Sequence, residues 1–222
     1  MTRLEVAPGV HYWPERLGPA EQAALLEEIL TRAAVAPFYR PTMPGSGAPL
    51  SVEMTNFGPL GWVTDQTKGY RYEPLHPVTG EPWPEIPASL LALWTESTAY
   101  PALPEACLVN LYRETARMGL HRDADEQAVD APVLSVSLGD TAVFRFGGLS
   151  RRGTTATLKL GSGDVLMFGG PARMMFHGVD RIQAGSSNLI PGGGRINLTL
   201  RRVTVALNAR SPPPPPRCAG EA

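Results

Sequence analysis

Beyond residue 105 the chain breaks into short β-rich runs, each closed by a glycine-containing turn. This punctuation constrains the fold more than any other feature of the sequence. The runs are CLVNLYR (107–113), VLSVSL (133–138), AVFRF (142–146), TATLKL (155–160), DVLMF (164–168), MMFHGV (174–179) and RINLTLRRVTV (195–205). The separators are GD (139–140), GGLSRRG (147–153), GSGD (161–164), GGP (169–171) and PGGG (191–194). Several strands at this spacing point to a sandwich or barrel of the jelly-roll kind. The chain has 23 Gly and 23 Pro among 222 residues. That is well above average usage, so turns should be many and long helices few.

Helix signals are confined to the N-terminal part. Pro19 opens PAEQAALLEEILTRA, whose Leu25, Leu26, Ile29 and Leu30 form one apolar stripe. A shorter helix, ASLLALWTES (88–97), follows Pro87. Between them, residues 37–87 are rich in Pro, Gly and aromatics. Here SVEMTNFG (51–58) alternates like a strand and GWVTDQTKGYRY (61–72) reads as loop or hairpin. A long irregular stretch in a compact chain is usually functional or mobile. The expected class is mainly β with N-terminal helices (α+β), an α/β N-terminal layer lying against a C-terminal β core. The expected divisions are an N-terminal extension (1–100), a β core (101–210) and a disordered tail (211–222). The tail, SPPPPPRCAGEA, can form neither helix nor central strand.

Charge is near balance, with 20 basic against 21 acidic residues and a net charge of −1. This argues against a strongly basic nucleic-acid binder and against a polyanionic tail. The balance is uneven, however. Residues 1–106 carry 6 basic and 12 acidic residues, while 107–222 carry 14 and 9. All but Lys68 and Lys159 of the basic residues are Arg, the side chain suited to planar recognition of carboxylate or phosphate. Two cysteines, Cys107 and Cys218, make no disulfide framework. The N-terminus MTRLEVAPGVHYW lacks the apolar stretch of a signal peptide, and no run suits a membrane span. A soluble cytoplasmic protein is expected, with a monomer as the default.

Of four histidines, two lie in the β-rich part. His121 and Asp123, in LHRDADE, are spaced i, i+2 and share a face on extended backbone, so both can reach one ion. His177 lies in a separate apolar run. Two His and one carboxylate make a facial triad that leaves positions open on Fe(II). Taken singly, His-x-Asp arises by chance, and a histidine among apolar residues is more often a satisfied core residue. In GRINLTLRR, Arg195, Asn197, Thr199 and Arg201 alternate with Ile196, Leu198 and Leu200. The polar set fits an ordinary half-exposed strand. Turned inward, it fits a small dicarboxylate, with one Arg paired in bidentate fashion. A buried Arg with no partner is costly, so an inward face demands an anion. In VNLYR, Asn110 and Tyr112 alternate with Val109, Leu111 and Arg113, and both could reach the same cavity.

In order along the chain these elements are Asn-Leu-Tyr, His-x-Asp, His, then Arg-x-Asn-x-Thr-x-Arg. Together with MTNFGPLGW, KGYRY, VSVSLGDTAVFRFGG and GDVLMFGG they make the chain resemble the AlkB family of iron(II)- and 2-oxoglutarate-dependent dioxygenases, its bacterial members in particular. The resemblance spans about residues 8–203. It implies a double-stranded β-helix core carrying a nucleotide-recognition lid at about 40–85. It implies His121, Asp123 and His177 as iron ligands. It places Asn110, Leu111, Tyr112, Arg195, Asn197, Thr199 and Arg201 around 2-oxoglutarate, with Arg195 on its distal carboxylate and Arg201 near its chelating end. Trp62 and Tyr70 would belong to the lid, and Trp62, Tyr70, Arg71, Tyr72, Asp125 and Arg151 would contact the substrate. The implied activity is oxidative demethylation of N-alkylated bases such as 1-methyladenine and 3-methylcytosine. It uses Fe(II), 2-oxoglutarate and O2 and releases formaldehyde, succinate and CO2. Alkylated DNA is the expected partner, in single strands or as a flipped base, with RNA as a second candidate and no membrane. The alternative is the same chemistry on a protein or small-molecule substrate. Arg122 and the PGGG loop depart from the family's pattern, and segment 40–50 is where the match is weakest, which bears on substrate preference more than on cosubstrate binding.

Overall fold

A computed structural model of the chain describes residues 2–205. The expected tail (211–222), with Cys218, lies outside them. In chain order the elements are β1 (Leu4–Ala7), β2 (Val10–Trp13), α1 (Pro19–Val35), β3 (Glu53–Phe57), β4 (Gly61–Asp65), β5 (Gly69–Glu73), α2 (Ala88–Thr98), β6 (Ala106–Tyr112), β7 (Met118–His121), β8 (Val133–Gly139), β9 (Thr141–Gly147), β10 (Thr155–Leu160), β11 (Val165–Phe168), β12 (His177–Gln183) and β13 (Arg195–Arg201). Seven strands form one sheet in the order β1-β2-β11-β8-β13-β6-β3, and four form a second in the order β10-β9-β12-β7. All strand pairs are antiparallel. The hairpin β4-β5 is a separate two-stranded sheet.

Helix α1 starts where Pro19 fixes φ and Glu21 accepts a hydrogen bond from the Gly18 N–H at 2.7 Å. Leu25, Leu26 and Ile29 are buried, but Leu30 is exposed, because it falls at the rim of the stripe beyond Leu26. Helix α2 buries Leu90, Leu93 and Trp94 and stops at Ala99, whose φ of 52° is left-handed. Both helices cover the outer face of the seven-stranded sheet. They pack on Ile196, Leu198 and Leu200 of β13 and on Cys107, Val109 and Leu111 of β6. A second apolar cluster, with Leu108, Phe144, Phe146, Leu166 and Val179, lies between the two sheets.

The polar side of β13 therefore points into the molecule, between the sheets. Arg195 is 1% exposed and Arg201 6%, which excludes the half-exposed strand.

The bounds of two strands differ from the sequence reading by more than two residues, and one layer assignment differs. The strand expected at 174–179 begins only at His177 and continues to Gln183. The preceding residues leave a 3-10 turn at Gly170–Ala172, and β9 pairs with β12 as far as Gln183↔Thr141. The strand expected at 195–205 ends at Arg201, after which Val203 and Thr204 donate their N–H groups to Glu105. The N-terminal part is more than a covering layer, since β2 pairs with β11 and β3 with β6, both within the seven-stranded sheet.

Candidate active site

Strand pairing brings the metal-ligating candidates together. His177, at the start of β12, sits directly opposite His121, at the end of β7, and Asp123 follows two residues later. Their ligand atoms all lie within 4.8 Å of one another. Each histidine has its Nδ1 beside a backbone carbonyl, His121 at 2.9 Å from Gly119 and His177 at 3.1 Å from Met175. With Nδ1 donating to that carbonyl, both Nε2 lone pairs are free for a metal. The Nε2 atoms stand 3.8 and 3.9 Å from the Asp123 carboxylate. Burial first, then the charge of His121, pulls the His177 pKa down to about 4 against the pull of Asp123, so its imidazole is neutral at physiological pH. Burial pushes the Asp123 pKa up, but Arg201, then His177 and His121, outweigh it and hold the carboxyl below the usual range. Both ligands are thus in the unprotonated form that metal binding requires.

The triad lines a cavity of about 670 Å³ together with Asn110, Tyr112, Arg195, Asn197, Thr199 and Arg201. Antiparallel register puts them on one face, with Arg195 opposite Tyr112 and Asn197 opposite Asn110. The two arginines have different surroundings. Arg201 Nε and Nη2 donate to the two Asp123 oxygens at 3.0 and 2.8 Å, a buried bidentate pair. Burial works against its charge, but Asp123, Tyr72 and Glu126 hold its pKa above the ordinary value. Arg195 has no carboxylate partner among the described residues. Its Nη2 donates to Ser137 Oγ at 3.0 Å, its Nη1 to the Leu160 carbonyl at 3.4 Å, and its Nε has no partner. Burial lowers its pKa to about 10, partly offset by Tyr112 and Asp164, and it stays charged at neutral pH. Asn110 Oδ1, in the same cavity, is also unpartnered. A buried guanidinium without a counter-ion is expensive, and the anion that would relieve it belongs in this cavity. Two imidazoles and a carboxylate suit Fe(II), and an unpaired Arg suits the far carboxylate of a dicarboxylic acid, so these residues fit both groups.

At the mouth, Trp62 of β4 stacks on Tyr70 of β5, with centroids 5.5 Å apart and planes at 21°. Trp62 Nε1 donates to Asp125 Oδ2 at 2.8 Å. Arg151 Nη2 donates to the Leu120 carbonyl at 2.7 Å, and Trp62, Tyr70, Asp125 and Arg151 all line the cavity.

Three expected residues are not brought there. Leu111 alternates to the opposite face of β6 and packs in the core under the helices. Arg71 faces away from Trp62 and Tyr70 and pairs with Asp65 and Glu73, at 2.8 and 2.6 Å. The Tyr72 hydroxyl donates to Glu126 instead of facing the cavity. Asn197 lines the cavity, but its amide is committed to the sheet, donating to Ser135 Oγ and the Val136 carbonyl and accepting from Thr199.

Sequence reasoning missed Glu126 and Arg173. Arg173 is 3% exposed and donates to the Asp123 and Ala131 carbonyls, both at 2.7 Å, and to Glu126 Oε2 at 3.0 Å. Its signal was an arginine inside the apolar ARMMFHGV, where a charge needs a partner.

The fold, the triad and the anion-demanding cavity define a class. The family model described as the 2OG-Fe(II) oxygenase superfamily matches residues 9–201, and the chain belongs to that superfamily. It is an Fe(II)- and 2-oxoglutarate-dependent dioxygenase that uses O2. Among its relatives, the alpha-ketoglutarate-dependent dioxygenase AlkB homolog of Caulobacter vibrioides is 56% identical over 205 residues, covering 91% of each chain. The alpha-ketoglutarate-dependent dioxygenase AlkB of Escherichia coli is 42% identical, over 82% of this chain and 84% of its own. A shorter match, 43% over 112 residues, is to the Arabidopsis thaliana DNA N(6)-methyladenine demethylase ALKBH1C, spanning 45% of this chain and 24% of that one. The solved structure of OsALKBH1 superposes with a TM-score of 0.79 at 28% identity, covering 90% of this chain and all of that one. No helix among the described residues is long and apolar enough to cross a membrane.

Proposed function

We infer that the chain repairs alkylated nucleic acid by direct oxidative demethylation of bases such as 1-methyladenine and 3-methylcytosine. The observation that carries this reading is the pairing of Trp62 and Asp125 at the mouth of the cavity that holds the triad. Methylation at adenine N1 or cytosine N3 leaves a flat, cationic base. An indole plate stacks on the flat surface, worth roughly 1–3 kcal/mol per base. A carboxylate two residues from Asp123 favours the cation over the neutral base. The reading takes the protein as a monomer working in the cytoplasm.

The chemistry supplied by bound Fe(II), 2-oxoglutarate and O2 is hydroxylation of the N-methyl carbon, 2-oxoglutarate leaving as succinate and CO2 and the hydroxymethyl product releasing formaldehyde. The protein's residues do the positioning. His121, Asp123 and His177 would hold the metal. Arg195 receives the distal carboxylate, with Asn110 and Tyr112 as neutral neighbours. Arg201 fixes Asp123 and balances its charge. Trp62 and Tyr70 cover the opening and exclude water, and Asp125 orients the base toward the metal. The base must leave a duplex to enter, at a cost of a few kcal/mol that is smallest for damaged or single-stranded positions.

A mass-spectrometric screen of methylated and unmethylated DNA and RNA oligonucleotides tests the assignment. Loss of the methyl group from methylated single-stranded DNA, dependent on Fe(II) and 2-oxoglutarate, is expected. RNA with the same lesions shows whether the 2′-hydroxyl is tolerated. Slow succinate formation with every oligonucleotide unchanged would move the chemistry to a protein or small-molecule substrate.

A further inference from the structure

The β4-β5 hairpin carries Trp62 and Tyr70 over the cavity, yet it shares no strand pairing with either large sheet. Asn56 holds its start through a reciprocal pair of hydrogen bonds with the Trp62 backbone, both 3.0 Å. Trp83 Nε1 donates to the Glu73 carbonyl at its end, at 2.9 Å. Two side-chain hydrogen bonds tie the inner face of the hairpin to the segment that follows Asp123. The first, Trp62 to Asp125, lies in the open mouth. The second, from the Tyr72 hydroxyl, reaches Glu126, whose side chain is 1% exposed.

Glu126 is itself held in place. Its Oε2 accepts from Arg173 Nη2 at 3.0 Å, and its Oε1 lies 3.6 Å from Arg201 Nε. Arg173 Nη1 grips the Asp123 backbone carbonyl at 2.7 Å, and Arg201 grips the Asp123 carboxylate. The hairpin over the substrate opening and the metal-ligand loop are thus joined twice, through Asp125 in the open mouth and through the buried Glu126 carboxylate.

We propose that Tyr72 is a positioning residue that acts through Glu126, latching the β4-β5 hairpin to the Asp123 loop so that the cover closes in register with the metal. The proposal rests on the demethylase reading only for its kinetic consequence. A tyrosine whose hydroxyl merely filled a buried acceptor would affect stability and nothing else. A latch sets where Trp62 and Tyr70 sit over the metal. Its loss therefore leaves the cosubstrate to be consumed without the methyl group in place.

Tyr72→Phe removes the hydroxyl and keeps the ring. Two readouts are taken on the full chain. Hydrogen exchange of residues 61–73 and 122–127 should become faster in the variant. Formaldehyde released per succinate formed, on a single-stranded 1-methyladenine oligonucleotide, should fall at least threefold. Wild-type exchange or wild-type coupling in the variant overturns the latch. If the wild-type protein itself releases no formaldehyde, the demethylase reading fails, and the exchange measurement alone decides the latch.

Discussion

Arg195 and Arg201 are the same residue type, six positions apart on one face of one strand, and their energetics are opposite. Arg201 neutralises Asp123, so Arg201→Met would leave a buried carboxylate short of its counter-charge, at about 3–5 kcal/mol. Arg195 neutralises nothing among the described residues. Arg195→Met should therefore leave the cosubstrate-free protein as stable as the wild type, or more so. It should also abolish the rise in melting temperature that 2-oxoglutarate gives the metal-loaded wild type. Denaturant unfolding and thermal shift measure both effects, and the reverse ranking would contradict the assignment. The sequence displayed the Arg-Asn-Thr-Arg alternation without saying which way it faced. It could not display the partner either, because Asp123 and Arg201 meet from 78 positions apart. Glu126 and Arg173 escaped notice for the same reason, as separate charges that become a pair only in the folded chain.

At the level of elements, the metal site depends on how closely β7 lies against β12. Gly178, next to His177, permits the approach. A Cβ there would sit 2.6 Å from the Met118 carbonyl oxygen and 2.9 Å from that of Gly119. Both are backbone atoms of β7 and cannot move alone. Gly178→Ala should push β7 outward, separate His121 from His177 and weaken Fe(II) binding on the order of tenfold or more, the scale on which support around metal ligands acts. Anaerobic calorimetric titration checks this, and wild-type affinity would contradict it. The runs that became β6, β8, β9, β10, β11 and β13 were legible because they are bounded by turns and rich in β-formers. Strand β7 was not legible. Its four residues, MGLH, have little β character and are strands only because β12 pairs with them. The start of β12 slipped for a related reason, since Met174 and Met175 look like strand residues but are spent leaving the 3-10 turn.

Across the whole molecule, the near-zero net charge hides a division of labour. Several arginines of the basic half are consumed internally: Arg173, Arg195 and Arg201 are buried, and Arg202 and Arg145 pair with Glu105 and Asp180. Arg117, Arg122 and Arg151 line the cavity without a carboxylate partner among the described residues. About three phosphate contacts give a log–log salt slope of roughly −2 for single strands. A slope several times steeper would mean a far larger basic footprint than this surface offers. The jelly-roll core and its chemistry could be read from the second half of the sequence. The membership of β1, β2 and β3 in the large sheet could not, because β2 meets β11 across some 150 residues of chain. Coupled release of succinate and formaldehyde requires that one cavity hold metal, cosubstrate and alkylated base together. The most direct measurement is simultaneous quantification of succinate and formaldehyde from a single-stranded 1-methyladenine oligonucleotide, for the wild type and for His177→Ala. The wild type should release equal amounts of both products and the variant neither. Full turnover by His177→Ala, or succinate without formaldehyde from the wild type, would contradict that arrangement.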